Sequence, residues 1–368
     1  MAARNAYLVS TAMLASALVL SACGDSGEQD SPEVEAVAVP TNVAYVTNED
    51  NGVSVVDLET LTITKTLEVG GQRPRGLGLT KDGRYLLTAN GETNDMSAID
   101  TTTGEVVQRI PVGTSPEFLR ILDDTAYVTY EPGGRREEDV EDRDFDNDPR
   151  AEIAVVNLVG VVNLTELSLE RSIPSGLETE GLEFSHDRTR ILTTNEGDET
   201  ISVYDLKTGE ELKTVSTREF GRRPRGIIAM PDKSGYIVTM ETSSHLIQMD
   251  NDLNVMRSIE TKTGPNGVAF SLDGAHLLVA ASRDGVLQVF DAKTFDLLKE
   301  TPIGRRCWHF TYTPDGSKII VACGRSNDLH VLDAQDYTPI KTIPGLALPW
   351  GIVTYPAANG TLDVPRVH

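Results

Sequence analysis

The chain has 368 residues, with 33 Lys and Arg against 56 Asp and Glu, a formal net charge of −23. Such an excess of negative charge opposes binding to phosphate backbones and anionic lipid surfaces, so nucleic-acid recognition is excluded as the first reading. Hydrophobic residues make up 39% and charged residues 24%, which suits a folded body with a sizeable core and not a disordered acidic chain.

Residues 1–22 have the layout of a secretory signal: Arg4 near the start, a mostly apolar run over 7–20, then the small residues Ser21 and Ala22. That run is too short and too weakly flanked for a membrane span. Leu20-Ser21-Ala22-Cys23 resembles the bacterial lipobox, in which the Cys becomes the lipidated first residue of the mature protein. The resemblance implies acyl chains on Cys23 and, because Gly24 rather than Asp follows, sorting to the outer membrane with the body facing the periplasm. The alternative is an ordinary signal peptide with an incidental Cys. Residues 23–40 then read as the lipidated Cys and a flexible acidic tether.

From residue 41 a unit of four short alternating runs returns along the chain, bounded by Asp-Gly, Asn or Thr-Gly turn residues, as in 71–90, 96–100 and 105–113. The third run of each unit ends at Asp57, Asp100, Asn157, Asp205, Asp250, Asp291 and Asp333, giving seven units spaced by 43, 57, 48, 45, 41 and 42 residues. Four-stranded units of this length predict an all-β fold, a seven-bladed β-propeller over 41–356. The first run, Val43–Asn48, reads as a second strand, and 350–355 after the last unit reads as a first strand. Residues 350–355 are therefore expected to supply the innermost strand of the blade formed by 43–69. An open solenoid of the same units leaves this permutation unexplained. Residues 357–368 remain as a C-terminal tail.

Tyr45-Val46-Thr47-Asn48, with Leu87-Thr88-Ala89-Asn90 and Leu192-Thr193-Thr194-Asn195, resembles the YVTN family of bacterial β-propellers, a likeness spanning 41–356. Within that group, Arg306-Cys307-Trp308-His309 in 304–316, Leu329-His330-Val331 in 326–333 and Pro349-Trp350-Gly351 in 348–353 are similar to the propellers associated with PQQ-dependent alcohol catabolism. Genes for such propellers accompany quinoprotein dehydrogenases and ABC-transporter components, so the resemblance implies a neighbourhood more than an activity. Two Trp and no adjacent Cys pair argue against a PQQ enzyme, and the lack of Cys-x-x-Cys-His argues against covalent c-type haem.

In a propeller the loop entering the innermost strand and the loop after the second strand share one face around the central channel. The position just before the inner strand carries, blade by blade, Trp350, Arg75, Glu117, Glu180, Arg225, Asn266 and Trp308. A guanidinium fork recognises carboxylates and an indole offers a stacking face, so this ring suits an anionic or aromatic ligand. The competing reading is that Arg and Glu neutralise one another while the Trp side chains wedge the blades together.

Residues 131–150 form an acidic insertion. Within it Asp142, Asp144, Asp146 and Asp148 place oxygens at alternate positions, as Ca²⁺ requires, yet the Gly and closing Glu of an EF-hand are missing and a solvated acidic loop competes. Cys307 and Cys323 flank the Pro314-Asp315-Gly316 turn almost symmetrically, so they should face each other on adjacent strands. Three states are open to them: two buried thiols, a cross-strand disulfide in an oxidising periplasm, or a copper or zinc site with His309. No cofactor is expected apart from Ca or Cu at these positions. No set of nucleophile, base and acid emerges. The expected function is a non-enzymatic binding or scaffold module, anchored to the outer membrane, for a partner protein or a small anionic ligand; the alternatives are a propeller hydrolase such as a lactonase and a periplasmic metal carrier.

Overall fold

The computed structural model describes residues 38–131, 152–157 and 168–363. Its strands form seven four-stranded antiparallel sheets set as blades around a ring, the seven-bladed β-propeller that the repeat predicts. Strands a to d of each blade run from the channel outward. Blade 1 takes strand a from Pro349–Tyr355 and strands b to d from Val43–Asn48, Val53–Asp57 and Thr62–Leu67. Tyr45 lies opposite Val353 and Val46 opposite Ile352, so the two ends of the repeat array are zipped into one sheet. Blades 2 to 7 begin at Pro74–Leu79, Leu119–Leu122, Thr179–Phe184, Pro224–Ala229, Pro265–Phe270 and Cys307–Tyr312.

The recurring residues have separate jobs. Asp57 at the end of strand c accepts the N–H groups of Glu59 and Thr60 on one carboxylate oxygen, and Asp205 and Asp291 do the same for Lys207 with Thr208 and Lys293 with Thr294. These Asx turns start strand d, and the bonds from the backbone hold the three carboxyls below the usual Asp range. The a–b turn repeats the device: the hydroxyls of Thr80, Ser185, Ser271 and Thr313 donate to Asp82, Asp187, Asp273 and Asp315.

In Tyr45-Val46-Thr47-Asn48, alternate side chains leave the sheet on opposite faces. Tyr45 is buried in the core between blades, and Asn48 Nδ2 donates to Ser54 Oγ at 2.9 Å to hold the b–c hairpin. Thr47 reaches the next blade, its Oγ1 donating to the Arg75 carbonyl at 2.6 Å. Thr194 and Thr239 make the same bond to the carbonyls of Arg225 and Asn266. The ring positions read from sequence as lying just before the inner strand are, at Arg75, Arg225 and Asn266, the second residue of that strand, because pairing starts at the preceding Pro, and they are registered by hydrogen bonds from the blade behind. Close approach also explains the glycine that follows them: a Cβ on Gly181 would lie 2.2 Å from the Arg225 carbonyl oxygen, and one on Gly226 2.4 Å from that of Asn266.

The described residues of the segment after Pro356 re-enter the channel. Gly360 bridges Thr311, the Thr361 N–H donates to the Phe310 carbonyl at 3.0 Å, and Arg120 Nη2 donates to the Thr361 carbonyl at 2.9 Å. Leu362 is buried in one core cluster with Leu77, Leu182 and Trp350, residues of three different inner strands. The described part of a segment that reads as a tail from sequence, residues 357–363, therefore packs against the inner strands.

Candidate functional site

Two residues ahead of each inner-strand position the backbone turns left-handed. Arg73, Ser115, Glu178, Arg223, Arg306 and Leu348 have φ of 57, 47, 50, 58, 54 and 59°, and Gly264 has 74°. For a residue with a Cβ this region costs about 1 kcal/mol or more, and six of the seven carry one. The turn is held by a backbone bond: the carbonyls of Leu348, Arg73, Glu178, Arg223, Gly264 and Arg306 accept the N–H of Glu49, Gly91, Glu196, Glu241, Ser282 and Gly324, each the first residue past strand b. Such a turn brings three positions to one mouth: the left-handed residue, the residue two places on, and the residue after strand b; glycine at Gly264, Gly91 and Gly324 leaves some of these without a side chain.

Charges at these positions interlock. Arg75 pairs with Glu117 and, at 3.3 Å, with Glu49, which also holds Arg73 at 2.8 Å. Arg225 Nη1 lies 2.9 Å from Glu180, and its Nε 2.7 Å from Glu196 and 2.8 Å from Glu241. Glu196 also pairs with Arg223, while Glu241 meets Arg283 and Arg306 at 3.3 Å each. Burial raises the Glu241 carboxyl, but Arg225, Arg223, Arg306 and Arg283 overcome it and bring it down to about 2. At Glu180 the balance goes the other way. Burial pushes it up to about 7, Arg225 opposes, and the neighbouring Glu117 adds both repulsion and a hydrogen bond that needs a proton. Glu180 therefore holds its proton to higher pH than an ordinary carboxyl, hydrogen-bonded to Glu117 and titrating in concert with its neighbours.

Of the residues singled out from sequence, Glu180, Arg225, Asn266, Trp308 and Trp350 line one cavity of about 20 Å³ together with Phe118, His309 and Thr361. That is room for about one water molecule. Arg75 and Glu117 belong to the ion-pair network described above. Trp350 is 5% exposed and packs against His309 at 4.3 Å and edge-on against Phe118 at 6.5 Å. His309 is buried, its Nδ1 bonded to Thr361 Oγ1 at 3.0 Å, and desolvation followed by the charges of Arg120, Arg225 and Arg75 drives it down to about 3. It stands neutral and structural. Trp308 is half-buried, with the Arg306 guanidinium 5.8 Å from its ring centre.

Beside this closed ring lies open space. Ser282, Arg283, Arg305, Arg306 and Arg325 line a cleft of about 400 Å³ on the mouth of blades 6 and 7. Arg283 and Arg306 have a long contact to the one carboxylate of Glu241; among the described residues Arg305 and Arg325 have no carboxylate partner. Burial, followed by the repulsion of Arg325, Arg225 and Arg283 against the help of Glu241, lowers the Arg306 guanidinium. Local charge here is opposite in sign to that of the whole chain.

Cys307 and Cys323 sit opposite each other on strands a and b of blade 7 and form a disulfide. His309 is not brought to that pair: it faces Trp350, Phe118 and Thr361. The side chains that cluster with Cys323 are Asp328 and His330, so the copper or zinc set read as Cys307, Cys323 and His309 is not assembled. A bulge between Cys307 and His309 is the reason, because it breaks the alternation that would have put both on one face. Asp142, Asp144, Asp146, Asp148 and Cys23 lie outside the described residues.

No protein-family model matches the chain, and no curated protein matches it. Solved structures do. A putative 6-phosphogluconolactonase from Bacteroides uniformis is 17% identical, covers 85% of this chain and 99% of its own, and superposes with a TM-score of 0.67. The periplasmic gluconolactonase of Pseudomonas aeruginosa is 16% identical, with 84% and 98% covered and a TM-score of 0.67. A functionally unknown protein from Desulfotomaculum acetoxidans is 15% identical, with 85% and 98% covered and a TM-score of 0.69. The likeness is one of fold.

Sequence reasoning passed over the glutamates after strand b, although Asn48-Glu49, Asn195-Glu196 and Met240-Glu241 repeat that step and the same loop was assigned to the mouth. It also passed over Arg283, Arg305, Arg306 and Arg325, whose signal is spread over three loops that only the closed ring gathers.

Proposed function

We propose that the chain is an exported lipoprotein, anchored through Cys23 to the outer membrane, whose propeller is a binding module for a small organic anion at the channel mouth. The observation that carries the reading is the four-arginine cleft in a chain of net charge −23. Guanidinium groups crowded against one another are stabilised by an incoming anion, and a surrounding negative field keeps macromolecular polyanions away. The resemblance of the C-terminal third to propellers associated with PQQ-dependent alcohol catabolism supports a place beside an envelope oxidation system, whose acidic products are small organic anions. The test is thermal stabilisation and titration calorimetry with a panel of carboxylates and phosphate esters against neutral analogues. Anion-dependent stabilisation that weakens with salt is the expected result; no response to any anion overturns the reading.

A second reading, lactone hydrolysis, has two supports: the hydrogen-bonded Glu117 and Glu180 pair, and the lactonase names of two structurally similar proteins. It ranks second because the cavity at that pair holds about one water. Turnover of a lactone panel that Glu180→Gln abolishes would promote it to first place.

A further inference from the structure

We infer that the cleft between Ser282, Arg283, Arg305, Arg306 and Arg325 is a site for a phosphate-type dianion, such as a phosphate monoester. The inference rests on the binding-module reading and names its ligand class.

Three loops build the site, and backbone bonds stitch them together. The Arg306 N–H donates to the Ser282 carbonyl at 2.8 Å, the Gly324 N–H to the Arg306 carbonyl at 2.9 Å, and the Arg325 N–H to the Arg305 carbonyl at 3.1 Å. The disulfide between Cys307 and Cys323 clamps the last two loops one residue away from Arg306 and two from Arg325. The backbone that carries the donors is thus fixed before an anion arrives, and only the side chains have to be ordered.

Two buried polar groups in the lining lack a partner. Ser282 Oγ, on a residue with no exposed surface, and Arg306 Nε make no hydrogen bond. A hydroxyl and a guanidinium nitrogen left unpaired are costly unless a ligand oxygen meets them. A planar carboxylate is satisfied by one guanidinium fork, whereas donors converging from three loops match a tetrahedral head with three terminal oxygens and two charges.

The experiment titrates the full chain in detergent with inorganic phosphate, glycerol 3-phosphate, succinate, and phosphatidic acid in the micelle, and repeats each with Arg305→Gln/Arg325→Gln and with Ser282→Ala. Both arginines are exposed, so the double variant is expected to melt like the parent without ligand. Expected is phosphate-ester binding at least tenfold tighter than succinate, weakened at least tenfold in the arginine pair and severalfold in Ser282→Ala. Glycerol 3-phosphate binding identifies a soluble ester as the source; binding of phosphatidic acid alone identifies a lipid headgroup. Succinate binding without phosphate binding overturns the phosphate assignment and leaves the binding-module reading standing. Binding that the arginine pair does not alter overturns the site, and no binding of any anion removes both.

Discussion

Glu180 and Arg120 show how the same residue types reach opposite ends inside one channel. Arg120 Nη1 stands 2.8 Å from one Glu183 carboxylate oxygen, both side chains 1% exposed; the Phe184 N–H donates to that same oxygen and the Ala229 N–H to the other, so the pair is locked into the fold. Losing one partner of such a pair typically costs about 3–5 kcal/mol. Glu180 has Arg225 on one side but Glu117 on the other, and its folded carboxyl rises from 4.5 to about 7. A raised carboxyl means that the folded state keeps a proton the unfolded chain releases. Its stabilising contribution is full below the ordinary carboxyl range and is lost as pH rises through 7. Between pH 5 and 8 the protein should therefore lose roughly 1–3 kcal/mol from this source, and Glu180→Gln should flatten that slope. Urea midpoints at pH 5, 6.5 and 8 check this; parallel slopes in both proteins would sink the retained-proton account.

At the scale of elements, the repeated unit is a set of turn devices more than a hydrophobic pattern. Asp at the end of strand c, Ser or Thr with Asp at the a–b turn, and Thr with Asn at the end of strand b each satisfy backbone or hairpin groups. Those chemistries are local, so they were legible in the order of residues. The left-handed turn before the inner strand was not, because Arg, Ser, Glu, Leu and Gly all occupy it. What holds that turn is a hydrogen bond from the residue after strand b, 18 residues on in sequence or, for Leu348, from Glu49 near the start of the repeat array. The segment after Pro356 is a similar case. Ending the chain at Pro356 removes Leu362 from the core and the Thr361 carbonyl from Arg120, and should cost about 2–4 kcal/mol while leaving the ring closed. A melting temperature equal to that of the full chain would show the segment to be idle in the channel.

The propeller is a circle fastened by Pro349–Tyr355 pairing with Val43–Asn48, so the two ends of the repeat array stabilise each other and the mouth is drawn from every blade. The net charge of −23 and the arginine cleft coexist because one is a sum over the chain and the other is a place on the ring. An acidic body should be repelled by anionic headgroups, so the proposed membrane attachment rests on Cys23. Cys23→Ser should therefore move the protein from the membrane fraction to the soluble envelope fraction without lowering its melting temperature. Retention in the membrane after that change, seen by fractionation and immunoblot, would refute the anchor.

Blade number, strand order and the closing strand follow from the sequence by itself, because turn residues and apolar alternation act over a few neighbours and repeat seven times. Ring residues such as Arg75 and Arg225 are also legible there, from their fixed place in the repeat at the start of the inner strand. Tertiary structure alone decided what those residues do: that Arg225 is consumed by Glu180, Glu196 and Glu241, that His309 turns away from the cysteines, and that Arg283, Arg305, Arg306 and Arg325 collect between blades 6 and 7. The reason is physical. Charge pairing and cavity shape depend on distances across the ring, and closing the circle brings together loops that the chain keeps far apart.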